Sequence, residues 1–98
     1  MLTSMERLQN LENLRDYVSR ILCYHDQLEQ NAFRMTERIL VRSGKPCGIF
    51  FCLNGPRAVK VTAIWETERN TILFYSSSGE RFHRTQLAKA PKLERCSA

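Results

Sequence analysis

Cysteine and histidine are the residues of this chain that could support nucleophilic catalysis or metal binding. The cysteines are Cys23, Cys47, Cys52 and Cys96, and the histidines are His25 and His83. No two cysteines form the C-x-x-C pair that is typical of zinc sites and thioredoxin-like redox sites. Four scattered cysteines are also too few for a disulfide scaffold, so we expect reduced thiols.

The spacing of these residues argues against catalysis. Cys23 and His25 are two residues apart, which on a helix separates them by about 200°. Cys47 and Cys52 are five residues apart, and an odd spacing in one strand points side chains to opposite faces. His83 could serve Cys52 as a base only in a strand order that the sequence does not fix. We therefore predict no catalytic residue, no metal site and no cofactor, and we expect that the chain is not an enzyme.

The basic residues hold the remaining chemistry. The chain has 98 residues and a net charge of +5, and this charge is unevenly distributed. Residues 1–32 contain three basic and five acidic side chains, whereas the rest contains twelve basic and five acidic ones. The candidate nucleic-acid-binding residues are Arg38, Arg42, Lys45, Arg57, Arg81 and Arg84. Such a strip could hold phosphates with salt-sensitive affinity and little sequence specificity; alternatively, it only keeps the sheet soluble and guards its edges.

An amphipathic helix is predicted for the first third of the chain, over residues of about 4–30. Thr3 and Glu6 have the spacing of a capping box at its start. Apolar residues then recur at intervals of three and four, and the helix-packing or interface set is Leu11, Leu14, Val18, Ile21 and Leu28. This stripe must be buried either against the protein's own sheet or against a partner helix.

An antiparallel meander is predicted over residues of about 37–86, where the apolar period changes to two and turn sequences recur at short intervals. Val61, Ala63 and Trp65 share one strand face with Val59, and we expect this face to meet the helix stripe. The predicted fold is α+β, with a long N-terminal helix packed on a four- to five-stranded meander. The meander either stays open beneath the helix or rolls into a small barrel.

The overall organisation is predicted to be one domain over residues 1–90, followed by a flexible tail over 91–98. Charged residues interrupt the N-terminus, which argues against a secretory signal. The longest uncharged run, Pro46–Pro56, is far shorter than the ~20 residues that span a bilayer. We therefore expect a cytoplasmic protein without a membrane partner.

Part of the chain resembles a known family. Pro46 before an apolar strand, Asn54-Gly55 after it and the later Phe82-His83-Arg84 resemble the Sm-like family, which includes the Hfq-type RNA chaperones. The likeness covers residues 46–87 and implies a small barrel that forms rings and binds RNA. Residues 47–60 also look like small bacterial proteins of a planctomycete type, a likeness that implies no activity.

Two classes of function follow. The first is a non-catalytic protein-interaction or self-assembly module, with a protein partner or a homo-oligomer, because an acidic helix joined to a basic sheet invites association. The alternative is a small-barrel protein that binds RNA or single-stranded nucleic acid. In the second case an exposed aromatic residue such as Phe82 or Tyr75 would favour single strands through base stacking.

Overall fold

In the described part of the chain, the fold is a single six-stranded sheet with one helix. The computed structural model describes residues 2–6, 10–25, 27, 28 and 32–88. The elements are β1 (Leu2–Glu6), α1 (Leu11–His25), β2 (Arg34–Arg42), β3 (Lys45–Asn54), β4 (Lys60–Glu66), β5 (Thr71–Tyr75) and β6 (Arg81–Leu87), with a short 3-10 turn at Pro56–Ala58. The strand order is β1-β6-β5-β4-β3-β2, and the sheet is open. The predicted α+β fold is confirmed, with α1 followed by an antiparallel meander of five strands, whereas the barrel alternative is not what the chain adopts.

The meander begins with a tight hairpin. Ser43 and Gly44 connect β2 to β3 and have φ values of 52° and 76°, the pair of positive values typical of a type I′ turn. Cys47 is an extra residue in β3, because Pro46 pairs with Val41 and Gly48 pairs with Leu40. This bulge presents the Cys47 carbonyl to the turn after β4, where it accepts hydrogen bonds from Thr67 N (3.0 Å) and Thr67 Oγ1 (2.9 Å).

The predicted helix start at about residue 4 is wrong, and so is the capping box. Leu2–Glu6 is a strand that pairs in parallel with β6, from Leu2 opposite His83 to Glu6 opposite Leu87. Pairing with a strand from the far end of the chain overrides the local helix signal. The helix is instead capped by Asn10, whose Oδ1 accepts a hydrogen bond from Asn13 N at 2.8 Å.

The predicted helix end at about residue 30 is also wrong. Leu28 N donates to Cys23 O (2.7 Å) and Gln27 N donates to Tyr24 O (3.2 Å), which is the hydrogen-bond pattern of a Schellman motif. Gln27 supplies the left-handed residue, with φ of 55°. Leu28 therefore lies beyond the helix, yet it still packs against the core as the apolar residue that accompanies this motif.

The core lies between α1 and one face of the sheet. Leu14, Val18 and Leu22 of the helix form one buried cluster with the strand residues Ile49, Phe51, Leu53, Val61, Ala63, Trp65, Ile72 and Phe74. Leu11 and Ile21 pack at its border and are only partly buried. The helix stripe is thus covered by the protein's own sheet. No helix in the described part of the chain is long and apolar enough to cross a membrane.

The polar atoms of this core are paired. Tyr17 OH and Thr85 Oγ1 lie 2.8 Å apart within the buried layer. Trp65 Nε1 donates to Asn70 Oδ1 (3.2 Å), while Asn70 Nδ2 donates to Leu87 O (3.1 Å). Asn70 therefore connects the largest core side chain to the end of β6.

Candidate functional site

The face of the sheet opposite α1, which we call the open face, has no described element packed on it. Residues directly opposite each other in antiparallel strands share a face, so the register gives the composition of the open face. One row crosses five strands, in the order Arg38, Phe50, Ile64, Leu73 and Arg84. With strands about 4.8 Å apart, its terminal arginines lie roughly 19 Å apart along the sheet. The row is apolar in the middle and cationic at both ends.

A second row lies beside the first. It consists of Thr36, Cys52, Thr62, Tyr75 and Arg81. Each row contains an arginine over an aromatic ring: the Arg38 guanidinium carbon is 5.8 Å from the Phe50 ring centroid, and that of Arg81 is 5.8 Å from the Tyr75 centroid. These are cation–π distances. The two rings are half-buried and the two arginines are exposed, so both pairs face solvent.

Cations dominate the open face. Its described basic residues are Arg34, Arg38, Arg42, Lys45, Lys60, Arg81 and Arg84. Among the described paired residues of the strands, Glu66 is the acidic residue on this face. Glu37 of β2 lies on the opposite face, where it forms an ion pair with Arg15 of the helix at 2.7 Å. That hydrogen bond to the Glu37 carboxylate raises the pKa of Arg15. The basic excess therefore belongs to the open face.

Five of the six predicted nucleic-acid-binding residues lie on the open face, in two groups. Arg38, Arg81 and Arg84 lie at the ends of the two rows, and Arg84 Nη2 donates to Gln86 Oε1 at 3.1 Å. Arg42 and Lys45 lie opposite each other at the hairpin end of the same face. Arg42 is 3.8 Å from Glu68, but both side chains are about three-quarters exposed, so this ion pair contributes little.

Arg57 is the predicted site residue that the structure places elsewhere. It lies in the 3-10 turn between β3 and β4, with a left-handed φ of 58°. Arg34 and Lys60, in contrast, belong to the open face although they were not predicted. Alternation along β2 would have identified Arg34, since it is four residues before Arg38, had the strand been predicted to begin there.

The described cysteines and histidines do not assemble a reactive site, and Cys96 lies outside the described residues. Cys52 lies on the open face, whereas His83 is paired with Phe74 on the helix face, so the sheet separates them. Cys23 is buried. Within the described ranges, no group of three or more His, Cys, Asp or Glu side chains could hold a metal ion.

A cavity of about 620 Å³ lies on the other side of the molecule, between the end of α1 and β6. Its lining consists of Ile21, Cys23, Tyr24, His25, Gln27, Leu28, Phe82 and His83. The His25 ring is stacked on Phe82, with centroids 3.6 Å apart and planes 12° apart. Phe82 therefore packs on the helix side and is not on the open face, so of the two aromatic residues proposed for stacking only Tyr75 is available there.

The pH dependence of stability should report the environment of His83. Burial lowers the pKa of His83 below its ordinary 6.5, because the charged form is poorly solvated beside the Phe74 ring. The unfolded chain then binds the proton more readily, so stability falls as the pH drops through 6.5 toward the folded pKa. We expect the melting temperature to fall between about pH 7 and pH 5. The variant His83→Gln should weaken this dependence. If the melting temperature of the variant changes with pH as much as that of the wild type, His83 is not its cause.

Comparison of the chain with protein-family models, with curated proteins and with solved structures finds no match in any of the three. The likeness to the Sm-like family rests only on the sequence of residues 46–87. The open sheet differs from the closed barrel which that likeness implies.

Proposed function

We propose that this chain is a non-catalytic nucleic-acid-binding module that holds phosphates on the basic residues of the open face. The observation that carries the proposal is the composition of that face: seven described cations, named above, surround an apolar and aromatic centre, against two described carboxylates, Glu66 and Glu68, toward its hairpin end. Phosphate contacts from arginine and lysine supply most of the affinity of nonspecific nucleic-acid binding.

Charge also argues against the other ways of covering this face. A second copy of the chain would bring Arg38, Arg81 and Arg84 against their own equivalents, and like charges in a desolvated interface cost several kcal/mol. An acidic protein would satisfy the cations, but it would leave the rings of Phe50 and Tyr75 without a planar partner. Nucleic acid offers both the phosphates and the flat bases.

Self-assembly remains the second candidate, and it is favoured by one observation at the sheet edge. β2 is the last strand of the described sheet, and its Ile39 and Val41 side chains are 40% and 62% exposed. An exposed apolar edge strand can pair with a second copy. Arg34, Arg38 and Arg42 on the same strand oppose such pairing by charge. A dimer seen by light scattering in the absence of nucleic acid would support this candidate.

The test of the proposed function is the salt dependence of binding. Purified protein should bind fluorescently labelled oligonucleotides in about 50 mM salt, and the logarithm of its affinity should fall linearly with the logarithm of salt concentration. If all seven cations contact phosphates of a single strand, the slope should approach about −5. Absence of binding in about 50 mM salt, where such contacts are strongest, would refute the proposal.

A further inference from the structure

The two arginine–aromatic pairs of the open face have a geometry that suits unpaired bases. Phe50 is on β3 and Tyr75 is on β5, two strands away and in the neighbouring row. From the strand spacing and the rise per residue, their Cα atoms lie roughly 12 Å apart. The ring of each is half-buried, so part of it packs on the sheet and part faces solvent. Two planar groups are thus presented on one face of the sheet.

The arginines above these rings have no competing partner in the described structure. Among the described residues, neither Arg38 nor Arg81 forms an ion pair with a carboxylate. A guanidinium over a ring can stack with one further planar group and still donate N–H groups to a phosphate. Each pair therefore combines a site for a base with a donor for the adjoining backbone.

The width of the open face argues against a duplex ligand. The major groove of duplex DNA is about 12 Å wide and admits one helix or a two-stranded ribbon. The row from Arg38 to Arg84 spans five strands and roughly 19 Å, too wide to enter that groove. A duplex could touch only the rim arginines through its phosphates, and its stacked bases could not reach Phe50 or Tyr75.

We propose that Phe50 and Tyr75 are base-stacking positions and that the ligand of the open face is single-stranded nucleic acid in preference to duplex. This inference rests on the proposed function and makes it more specific. Each base stacks on one of the two arginine–ring pairs, while Arg84 and the remaining N–H groups of Arg38 and Arg81 hold the phosphates between and beside them. Because stacking accepts every base, binding is only weakly dependent on sequence.

The test uses the variants Phe50→Leu and Tyr75→Leu, which retain apolar contact with the sheet and remove the ring. Stacking is worth about 1–3 kcal/mol per base, so each variant should lose about 5- to 150-fold in affinity for single strands of about 16 nucleotides. Binding to a duplex of the same length and retention on heparin should not change. Parallel titrations with single-stranded RNA and single-stranded DNA show whether the 2′-hydroxyl contributes.

The matched control is Tyr24→Leu, since Tyr24 is 84% exposed on α1, away from the open face, and its loss should leave binding unchanged. Phe50→Tyr and Tyr75→Phe keep a ring and should bind single strands like the wild type, which separates stacking from any loss of folding. Wild-type affinity in both leucine variants, or a duplex bound as tightly as a single strand, would overturn this inference and leave the proposed function intact. Failure of the wild type to bind either form would overturn both.

Discussion

Replacing Gly48 with alanine is expected to destabilise the sheet strongly where β3 pairs with β4. A Cβ atom built on Gly48 would lie 2.1 Å from the carbonyl oxygen of Trp65, which is a backbone atom of the neighbouring strand. β3 cannot move away without losing the pairing of Gly48 with Glu66 and with Leu40. Overpacking against backbone should cost about 3 kcal/mol or more, a large part of the 5–15 kcal/mol that stabilises a typical domain.

Chemical denaturation measures this effect, with Gly44→Asn as the control. Gly44 has a φ of 76° and open space around its Cα, so asparagine, which tolerates the left-handed region, should cost no more than about 1 kcal/mol. A Gly48→Ala variant with the urea midpoint of the wild type would show that β3 and β4 are not held at this separation. The bulge at Cys47 would then have to be the flexible point of the sheet.

Local patterns in the sequence predict the middle of this fold well. Alternation along residues 59–66 identifies the face of Val61, Ala63 and Trp65 that the helix covers. Turn residues such as Ser43-Gly44 mark the ends of the strands, because positive φ values are required there. With short turns and no further helix between them, the five strands could only be antiparallel neighbours.

The ends of the helix could not be predicted in the same way. Residues Leu2–Glu6 have a local helix signal, but they pair with β6, which is about 80 residues away along the chain. In the Schellman motif, Gln27 has a left-handed conformation that usually favours glycine or asparagine. The end of α1 is therefore not indicated by the residue type at this position. Both errors arise where tertiary structure decides between local alternatives.

The candidate site shows the same division between residue type and position. The basic character of Arg38, Arg81 and Arg84 can be seen in the sequence, whereas their placement on one face depends on the register of four strand pairs. Phe82 shows how a shift in register changes the face of a residue. Phe74 pairs with His83 but Tyr75 pairs with Arg81, so Phe82 is an extra residue in β6 and stacks against His25. Single-residue shifts of this kind exchange the two faces of a strand and cannot be predicted from alternation alone.

Reversing the charges at the two ends of the first row should remove most of the binding that we propose. The double variant Arg38→Glu with Arg84→Glu replaces two phosphate donors by two repelling carboxylates and lowers the net charge from +5 to +1. We expect at least about a hundredfold loss of affinity for single-stranded oligonucleotides and early elution from heparin. The slope of log affinity against log salt concentration should become less negative by about two. Both residues are on strand surfaces outside the core, so the melting temperature should change little.

The control for this variant separates the effect of the position of the charges on binding from the effect of the net charge. Arg20→Glu with Arg57→Glu also lowers the net charge to +1, but Arg20 is on α1 and Arg57 is in the 3-10 turn, outside the two rows of the open face. If the open face holds the ligand, this control keeps affinity within a few-fold of the wild type. Equal losses in the two double variants would mean that overall charge alone attracts nucleic acid. The basic residues of the open face would then only keep the sheet soluble, and self-assembly through the β2 edge would become the better explanation of the surface.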